Sequence, residues 1–441
     1  MNTKTKLPVA AASLLLSAVL MGGTVQAEEA TSPLQFWSGD NGSYAKVTFG
    51  ASFGFFAQSN TSFGANVDSD SWMESVIRPG LEFNFGLDNT QSIYGALDIT
   101  QSNTFGGNDA SLSNVGYDDH SLRFDHAYIG WKSGDLFSAL GEDAIDVKIG
   151  RDKYVVGNGF LFANQGGAGW GRAAYWIGGR NSADYLGVIK MTSGNWSGDV
   201  AYFKADNTGS ADTKVGGGNV EYNEEGMYYV GAGIYGVDSD TEKRDSMMIY
   251  NGRVGINPFA IAGVDALKPL HLEFEYVYED KDNNFKNGNA WYAQIGYTFE
   301  NCPYTPTLTY RYASFDTEYD SMYYGSTGWE QWYQGEIIGE YGVAVDADDN
   351  SYWNSNLETH MLKLSVQPTD AVTVTMAYLN YNEYSSGKDI AQEYDVIVDW
   401  NVTDYLYLSL VGGIATPDEV YEKNVGDDNW SYMMIFGSIS F

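Results

Sequence analysis

Apolar and polar residues alternate along most of this chain. In the stretch LHLEFEYVYE, residues 270–279, Phe274 and Tyr276 alternate with Glu273 and Glu275. Successive side chains of a β-strand point to opposite faces, so this strand would have one apolar and one acidic face. The alternation predicts strands near residues 43–58, 81–87, 92–100, 121–132, 145–156, 185–191, 197–204, 225–237, 246–256, 270–279, 290–299, 307–315, 360–366, 372–381, 393–402, 405–414 and 430–441.

If these seventeen segments belong to one closed barrel, one more strand is needed, because single-chain bacterial barrels have an even number of strands. We place the eighteenth strand at AAYWIGGR, residues 173–180. This assignment makes residues 206–224 a long periplasmic connection and residues 192–195 a short outer loop. A barrel of sixteen strands is the alternative.

The connections between the predicted strands differ sharply in length. Tight connections at 87–91, 366–372 and 402–405 contrast with long ones at 101–119, 316–355, 382–392 and 415–429. Short turns on one side and long loops on the other are typical of a transmembrane antiparallel β-barrel, and soluble sandwiches lack this asymmetry. The predicted fold class is therefore all-β, with short periplasmic turns and long extracellular loops.

The two ends of the chain indicate export to the bacterial outer membrane. Lys4 and Lys6 precede an apolar stretch that is short for a membrane helix, and Val25-Gln26-Ala27 has the form of a cleavage site. We predict a secretory signal peptide at residues 1–27 and the barrel at 28–441; the alternative is a membrane-anchor helix. The terminal Phe441 resembles the aromatic residue that closes bacterial outer-membrane barrels.

Charge and chemistry narrow the function further. The chain carries 58 acidic and 24 basic side chains, a balance that disfavours nucleic-acid binding. The four histidines accompany neither a nucleophile-elbow motif nor a paired metal-ligand spacing. We therefore expect no enzyme activity, no cofactor and no metal.

Residues 120–190 resemble the alginate-export family of outer-membrane porins. The similarity lies in DHAYIGWK (125–132), VKIGRDKYVVGNGF (147–160) and ADYLGVIK (183–190), with matches at Ala127, Tyr128, Gly150, Arg151, Gly157 and Gly159. Asp152 stands where that family often has glutamine. The resemblance implies an eighteen-stranded outer-membrane channel. It does not imply alginate, because a polyanion pore should present mainly Arg and Lys, and here acids and bases are mixed.

The polar faces of the strands supply the candidate pore lining. An Arg or Lys on the lipid face costs roughly 2–4 kcal/mol at the bilayer midplane, so charged strand residues are expected to face the lumen. Arg151 is two residues after the apolar Ile149, so the two side chains would lie on the same outer face of a regular strand. Arg151 would face inward only if a bulge lies between them. The alternative for each residue is that it only solvates and cross-links the inner wall. The predicted pore-lining residues are Arg78, Glu82, Asp98, Arg123, Asp125, Arg151, Arg253, Glu273, Glu275, Arg311, Lys363, Asp395 and Asp399.

A second candidate is the aromatic stretch GWEQWYQGEIIGEYG, residues 328–342, within the longest predicted loop. Long loops of this kind often have a functional role, so this one could fold into the barrel and narrow it. The residues proposed for loop constriction or sugar stacking are Trp329, Trp332, Tyr333 and Glu336. The alternative is a loop packed on its own aromatic rings or at the membrane interface.

These observations predict an outer-membrane porin for passive diffusion of small hydrophilic solutes, with saccharides among the candidates. Two alternatives stay open: a substrate-specific saccharide channel for export or uptake, and a barrel that holds a partner protein. The expected partners are outer-membrane lipid, lipopolysaccharide and the solutes themselves. A monomer is favoured over a trimer.

Overall fold

Strands make up most of the part of the chain that the structure describes. The computed structural model describes residues 34–60, 69–106, 120–167, 172–206, 211–282, 284–323, 332–341, 355–425 and 427–441. The strands are β1 (Gln35–Ser38), β2 (Tyr44–Ser59), β3 (Ser69–Gly86), β4 (Ser92–Gly106), β5 (His120–Lys132), β6 (Ile145–Arg151), β7 (Tyr185–Ser193), β8 (Trp196–Lys204), β9 (Lys214–Glu224), β10 (Tyr228–Asp238), β11 (Met248–Ile256), β12 (Leu270–Asp280), β13 (Gly288–Thr298), β14 (Thr307–Phe315), β15 (Leu357–Thr369), β16 (Val372–Glu383), β17 (Asp389–Thr403), β18 (Leu406–Pro417) and β19 (Trp430–Ser440).

Strands β2 to β19 close into a ring of eighteen. Each strand pairs antiparallel with the next, and β19 returns to β2 with Ser440 opposite Gly50. The short β1 pairs with the start of β2, beyond the point where β19 ends. The predicted eighteen-stranded transmembrane barrel is confirmed, and the sixteen-stranded alternative is wrong. Closure leaves no open sheet edge, which a backbone surrounded by lipid requires.

The position predicted for the eighteenth strand is wrong. Residues 173–180 form turns and irregular backbone, and the missing strand is β9, Lys214–Glu224. Residues 206–224 are therefore not a periplasmic connection, and 194–195 is a tight periplasmic turn rather than part of an outer loop. In β9, Gly217 lies against the Tyr235 ring of β10, so glycine makes room there for an aromatic side chain.

The two sides of the barrel differ as expected. Tight turns at 194–195, 225–227, 370–371 and 404–405 lie on the periplasmic side, and the long connections 152–184 and 316–356 lie on the other side. The helices are short: α1 (Pro258–Ile261), α2 (Ile338–Tyr341) and α3 (Glu419–Val425), with 3-10 turns at Asp88–Thr90, Gly134–Phe137 and Asp265–Leu267. Within the described residues, no helix is long and apolar enough to cross a membrane.

Strand parity separates an apolar outer face from a mixed inner face. In β12, Phe274 and Tyr276 are exposed on the outside, whereas Glu275 and Glu279 are buried inside. Other strands place Val200, Val230 and Ile435 on the outer face in the same way. The inner face of the outer half is instead covered by aromatic and aliphatic side chains that pack against the two long connections. The molecular core thus lies inside the barrel wall.

Candidate pore constriction

The connection between β6 and β7, residues 152–184, crosses the bore; it is called the crossing loop below, and its described residues are 152–167 and 172–184. On one side, Asn158 donates a hydrogen bond to the Tyr292 hydroxyl of β13 at 2.7 Å. On the opposite side, Arg78 of β3 donates to the Gly179 carbonyl, and Trp176 stacks on Phe56 of β2. The crossing loop therefore joins distant parts of the wall.

Two buried carboxylates of the wall bind the part of the crossing loop that leads back to β7. Glu74 Oε2 of β3 accepts a hydrogen bond from the Ile177 amide at 2.9 Å. Asp125 Oδ1 of β5 accepts one from the Ser182 amide at 3.1 Å. Both carboxylates are buried, and hydrogen bonds from backbone N–H groups to an ionised acceptor are among the stronger ones. The backbone of the loop is thus fixed by two inward-facing acids.

Three arginines meet at one aspartate near the outer end of the crossing loop. Arg172 lies 2.9 Å from Asp206, and Arg151 and Arg180 contact the same carboxylate. Burial alone would raise the pKa of Asp206, but the Arg180 and Arg172 guanidiniums outweigh it and hold that pKa below its ordinary value. Asp206 therefore stays ionised and ties the end of β6 to the crossing loop.

The second inward element is the inner segment, residues 332–339 of the connection between β14 and β15. Glu393 of β17 accepts hydrogen bonds from the backbone amides of Glu336, Ile337 and Ile338 at 2.6, 2.7 and 2.8 Å. The Tyr381 hydroxyl of β16 contacts both Glu393 and the Gln334 carbonyl. One wall carboxylate therefore holds three consecutive amides of the segment.

Aromatic and basic side chains complete this attachment. The Tyr333 hydroxyl donates to Asp395 Oδ2 at 2.6 Å, and Arg311 of β14 donates to the Tyr333 carbonyl. Arg311 also lies over the Trp332 ring, whose centre is 4.6 Å from that of Phe160 in the crossing loop. The two inward elements thus pack against each other inside the barrel.

Gly335 is required by the local backbone of the inner segment. Its φ is +103°, a conformation that L side chains rarely adopt. A Cβ at this position would clash with the Tyr381 hydroxyl and lie 2.8 Å from Glu393. Close approach of the segment to its anchoring side chains therefore depends on this glycine.

Glu336 has the most unusual environment in the inner segment. Its carboxyl group is buried, and Oε1 has no hydrogen-bond partner. Burial is the main cause that raises its pKa to about 8, and the neighbouring Glu393 and Asp399 carboxylates raise it further. The side chain is therefore mainly protonated at neutral pH.

Most of the predicted pore-lining residues lie on the inner face in polar contact with other wall residues. Arg78 lies 3.0 Å from Asp125, and Arg253 lies 2.9 Å from Glu221. The remaining contacts are Glu82 with Lys46 and Tyr44, Asp98 with His126, Glu273 with Gln294, Glu275 with Asn251, Lys363 near the Tyr333 ring, and Asp399 with Tyr407 and Ser409. The structure thus brings these residues into cross-strand networks.

Three predicted residues need separate comment. Arg151 is the last residue of β6, after Gly150 with a φ of +137°, and its guanidinium contacts Asp184 and Asp206. Arg123 is exposed, between the outward Leu122 and Phe124. Trp329 lies outside the described residues.

Trp332 and Tyr333 are both buried against protein. Trp332 contacts Phe160, Tyr292 and Arg311. In this arrangement their rings are not open to a sugar, and Trp332 packs on rings of the crossing loop and the wall rather than on rings of its own loop. Stacking on a solute would require the inner segment to move.

Sequence reasoning missed several residues that hold the two loops. Glu393 shares its parity with Asp395 and Asp399, so the alternation already indicated an inward position. The role of Arg180 was missed because residues 173–180 were predicted to form a strand. Asp206 stands at the end of β8, and nothing in the sequence pattern around it indicates three arginine partners.

One group in the described residues has the spacing of metal ligands: Asp98, Asp125 and His126. A bulge between β4 and β5 turns Asp125 and His126 toward the same side. His126 Nδ1 already lies 2.7 Å from Asp98, and Arg78 lies 3.0 Å from Asp125. The carboxylates therefore have basic partners, and we interpret the group as an ion-pair network.

The fold is similar to that of outer-membrane porins of known structure. No family model and no curated protein matches the chain in sequence. Among solved structures it is similar to a BenF-like porin from Pseudomonas fluorescens Pf-5, with a TM-score of 0.60, 11% identity, and coverage of 90% of this chain and 99% of that chain.

Two further structures have the same overall likeness. OccAB1 of Acinetobacter baumannii gives a TM-score of 0.56 at 12% identity, covering 90% of this chain and 97% of that chain. Wzi of Escherichia coli, described as a carbohydrate-binding β-barrel, gives 0.50 at 10% identity, covering 89% and 84%. At these identities the likeness establishes the fold.

Proposed function

We propose that this protein is an outer-membrane channel through which small hydrophilic solutes diffuse. The observation that carries the proposal is the closed eighteen-stranded wall, apolar outside and charged inside, with two loops anchored in its bore. Barrels of this size enclose an aqueous lumen unless it is filled, and inward loops set the width of the passage.

The test is conductance of the purified protein in planar lipid bilayers. Discrete single-channel steps are the expected result. An absence of steps, with barrel assembly verified by circular dichroism, contradicts the channel and favours the alternative of a barrel that holds a partner protein.

The charge of the inner wall supports a preference for cations. The inward acids include Glu273, which is only half-buried, and the whole chain carries 58 acidic against 24 basic side chains. We expect the reversal potential in a salt gradient to indicate cation preference and to shift toward zero in Glu273→Gln. Glu225→Gln in an exposed periplasmic turn is the matched control. Marked anion preference would contradict this assignment.

A saccharide-specific channel, as in the alginate-export resemblance, is the second candidate. The observation in its favour is that residues matching that family lie at the start of the crossing loop. Arg151 binds Asp206, and a Cβ at Gly157 would lie 3.0 Å from Arg253. Block of single-channel current by one saccharide and not by its isomers would support this candidate. The buried Trp332 supplies no open stacking surface, which favours the general channel.

The location and partners follow from the same proposal. Residues 1–27 would be removed as a signal peptide on export, and the barrel would contact outer-membrane lipid and lipopolysaccharide with its apolar outer face. We propose a monomer. N-terminal sequencing of the protein from isolated outer membranes tests the cleavage, and light scattering in detergent tests the oligomeric state.

A further inference from the structure

Four carboxyl groups meet where the inner segment contacts the wall. They belong to Glu336 of the segment and to Glu393, Asp395 and Asp399 of β17. Among the described residues, no basic side chain forms an ion pair with Glu336, Glu393 or Asp395. Burying several like charges without a counter-charge is costly, so the cluster must take up protons or a cation.

The surrounding groups do not neutralise this cluster. From β14, Arg311 is directed to the Tyr333 carbonyl, and from β15, Lys363 lies 5.9 Å from the Tyr333 ring. The other facing groups are hydroxyls: Tyr333 on Asp395, Tyr381 of β16 on Glu393, and Tyr407 of β18 on Asp399. Each hydroxyl donates to a wall carboxylate, and Glu336 Oε1 and Asp395 Oδ1 remain without a donor.

Geometry favours protons over a bound metal ion. In the described residues, the group whose ligand atoms lie close enough together for a metal is Asp98, Asp125 and His126 of β4 and β5, none of which belongs to this cluster. Glu393 accepts three backbone amides and a hydroxyl, an arrangement that suits an ionised carboxylate. The groups that remain to carry protons are therefore Glu336 and Asp395, each with one carboxyl oxygen that no donor reaches, and Glu336 is the one that belongs to the inner segment.

We propose that Glu336 controls attachment of the inner segment, which stays docked while this side chain is protonated and detaches when it ionises beside Glu393. The inference rests on the proposed channel function, because release of the segment would widen the bore. Ionisation adds a buried charge that repels the carboxylate anchoring amides 336–338. Those three amide hydrogen bonds and the Tyr333 contact are the attachments that would then break.

The direction of the pH dependence follows from proton binding. The pKa of Glu336 is raised to about 8 in the docked segment, against about 4.3 for a glutamate in water. Docking is therefore strongest below the pKa of the free side chain, and it weakens as the pH rises through the docked value. Between these limits the ratio of docked to released segment falls about tenfold per pH unit.

Conductance between pH 5 and 9 at constant ionic strength tests the proposal. We expect wild-type conductance to rise with pH, and Glu336→Gln to keep the low conductance throughout. Glu225→Gln, in an exposed turn, should retain the wild-type profile. Asp399→Asn removes a neighbouring charge that raises the pKa of docked Glu336, so ionisation of Glu336 should weaken docking less than in wild type. The rise in conductance should become smaller or move to higher pH, which keeps the test decisive if Glu336→Gln does not assemble.

Thiol labelling provides a second readout that does not depend on conductance. A cysteine in Ile337→Cys is buried in the docked segment, and the exposed native Cys302 serves as an internal reference. The labelling rate of residue 337 relative to Cys302 should rise with pH, and Glu336→Gln should abolish the rise. A channel with steps but no pH dependence, or an unchanged labelling ratio, overturns this inference alone. An absence of steps together with a rising labelling ratio overturns only the channel.

Discussion

The Cζ atom of Arg311 lies 3.7 Å from the centre of the Trp332 ring, and the same guanidinium donates a hydrogen bond to the Tyr333 carbonyl. A strand of the wall thus holds the inner segment through one aromatic face and one backbone acceptor. Both contacts are buried, where cation–π attraction and hydrogen bonds to a charged donor are stronger than in water. Wall and loop therefore form a single packed unit.

Replacing this arginine should loosen the inner segment. Arg311→Met keeps much of the length of the side chain but removes a charged hydrogen bond of about 1.5–3 kcal/mol and a cation–π contact of about 0.5–2 kcal/mol. We expect larger and noisier single-channel conductance. Arg311→Lys, which keeps the charge, should have a smaller effect. Equal conductance in all three proteins would show that the segment does not limit the passage.

Asp206 should contribute more to the stability of the crossing loop than the exposed Asp212 contributes to the stability of its own loop. Asp206→Asn leaves three arginines without their shared carboxylate, and breaking a largely buried pair costs about 3–5 kcal/mol. Asp212 pairs with Lys204 and Lys214 at an exposed site, so Asp212→Asn should have little effect on stability. Tryptic cleavage at Arg172 and Arg180 should accelerate in Asp206→Asn and not in the control.

The same aspartate predicts a pH dependence at the acid end. Its pKa is held below the ordinary value of about 3.9 by Arg180 and Arg172 in spite of burial. The stabilisation is therefore complete above that ordinary value and is lost as the pH falls through the lowered pKa. Trypsin does not cleave at acid pH, so the measurement is cleavage of the crossing loop by pepsin. The cleavage rate should increase as the pH falls in wild type and should be high at every acid pH in Asp206→Asn.

Gly335→Ala should detach the inner segment by steric conflict. The new Cβ would clash with the Tyr381 hydroxyl and require a positive φ that costs of order 1–3 kcal/mol for a residue other than glycine. Gly387→Ala is the matched control, because Gly387 also has a positive φ but has open space around it. If both variants raise conductance equally, the clash in the inner segment is not responsible.

The assignment of outer and inner faces can be tested by placing one charge on each face of the wall. Val200→Lys places a charge on the exposed outer face of β8 and should cost roughly 2–4 kcal/mol near the bilayer midplane. Thr373→Lys places the same charge on the inner face of β16, opposite Asp399, and should be tolerated. The yield of heat-modifiable barrel in outer membranes measures both. Equal yields would contradict the assignment.

Strand prediction succeeded where one face of a strand meets lipid. Around Phe274 and Glu275 the alternation is strict, because lipid and the bore demand opposite side chains at successive positions. It failed for residues 173–180 and for β9. The apolar residues of 173–180 pack on Phe56 and Trp72 inside the barrel, while β9 has glycines where apolar side chains would have signalled a strand.

The sequence by itself determined that the chain is a membrane barrel and which side chains turn inward, because the pleat of a strand fixes that choice residue by residue. The tertiary structure alone decided what those side chains do. Glu393 anchors three amides of a loop more than fifty residues away, and Asp206 gathers arginines from two other segments. Such contacts depend on how loops return into the bore, and no local periodicity encodes that path.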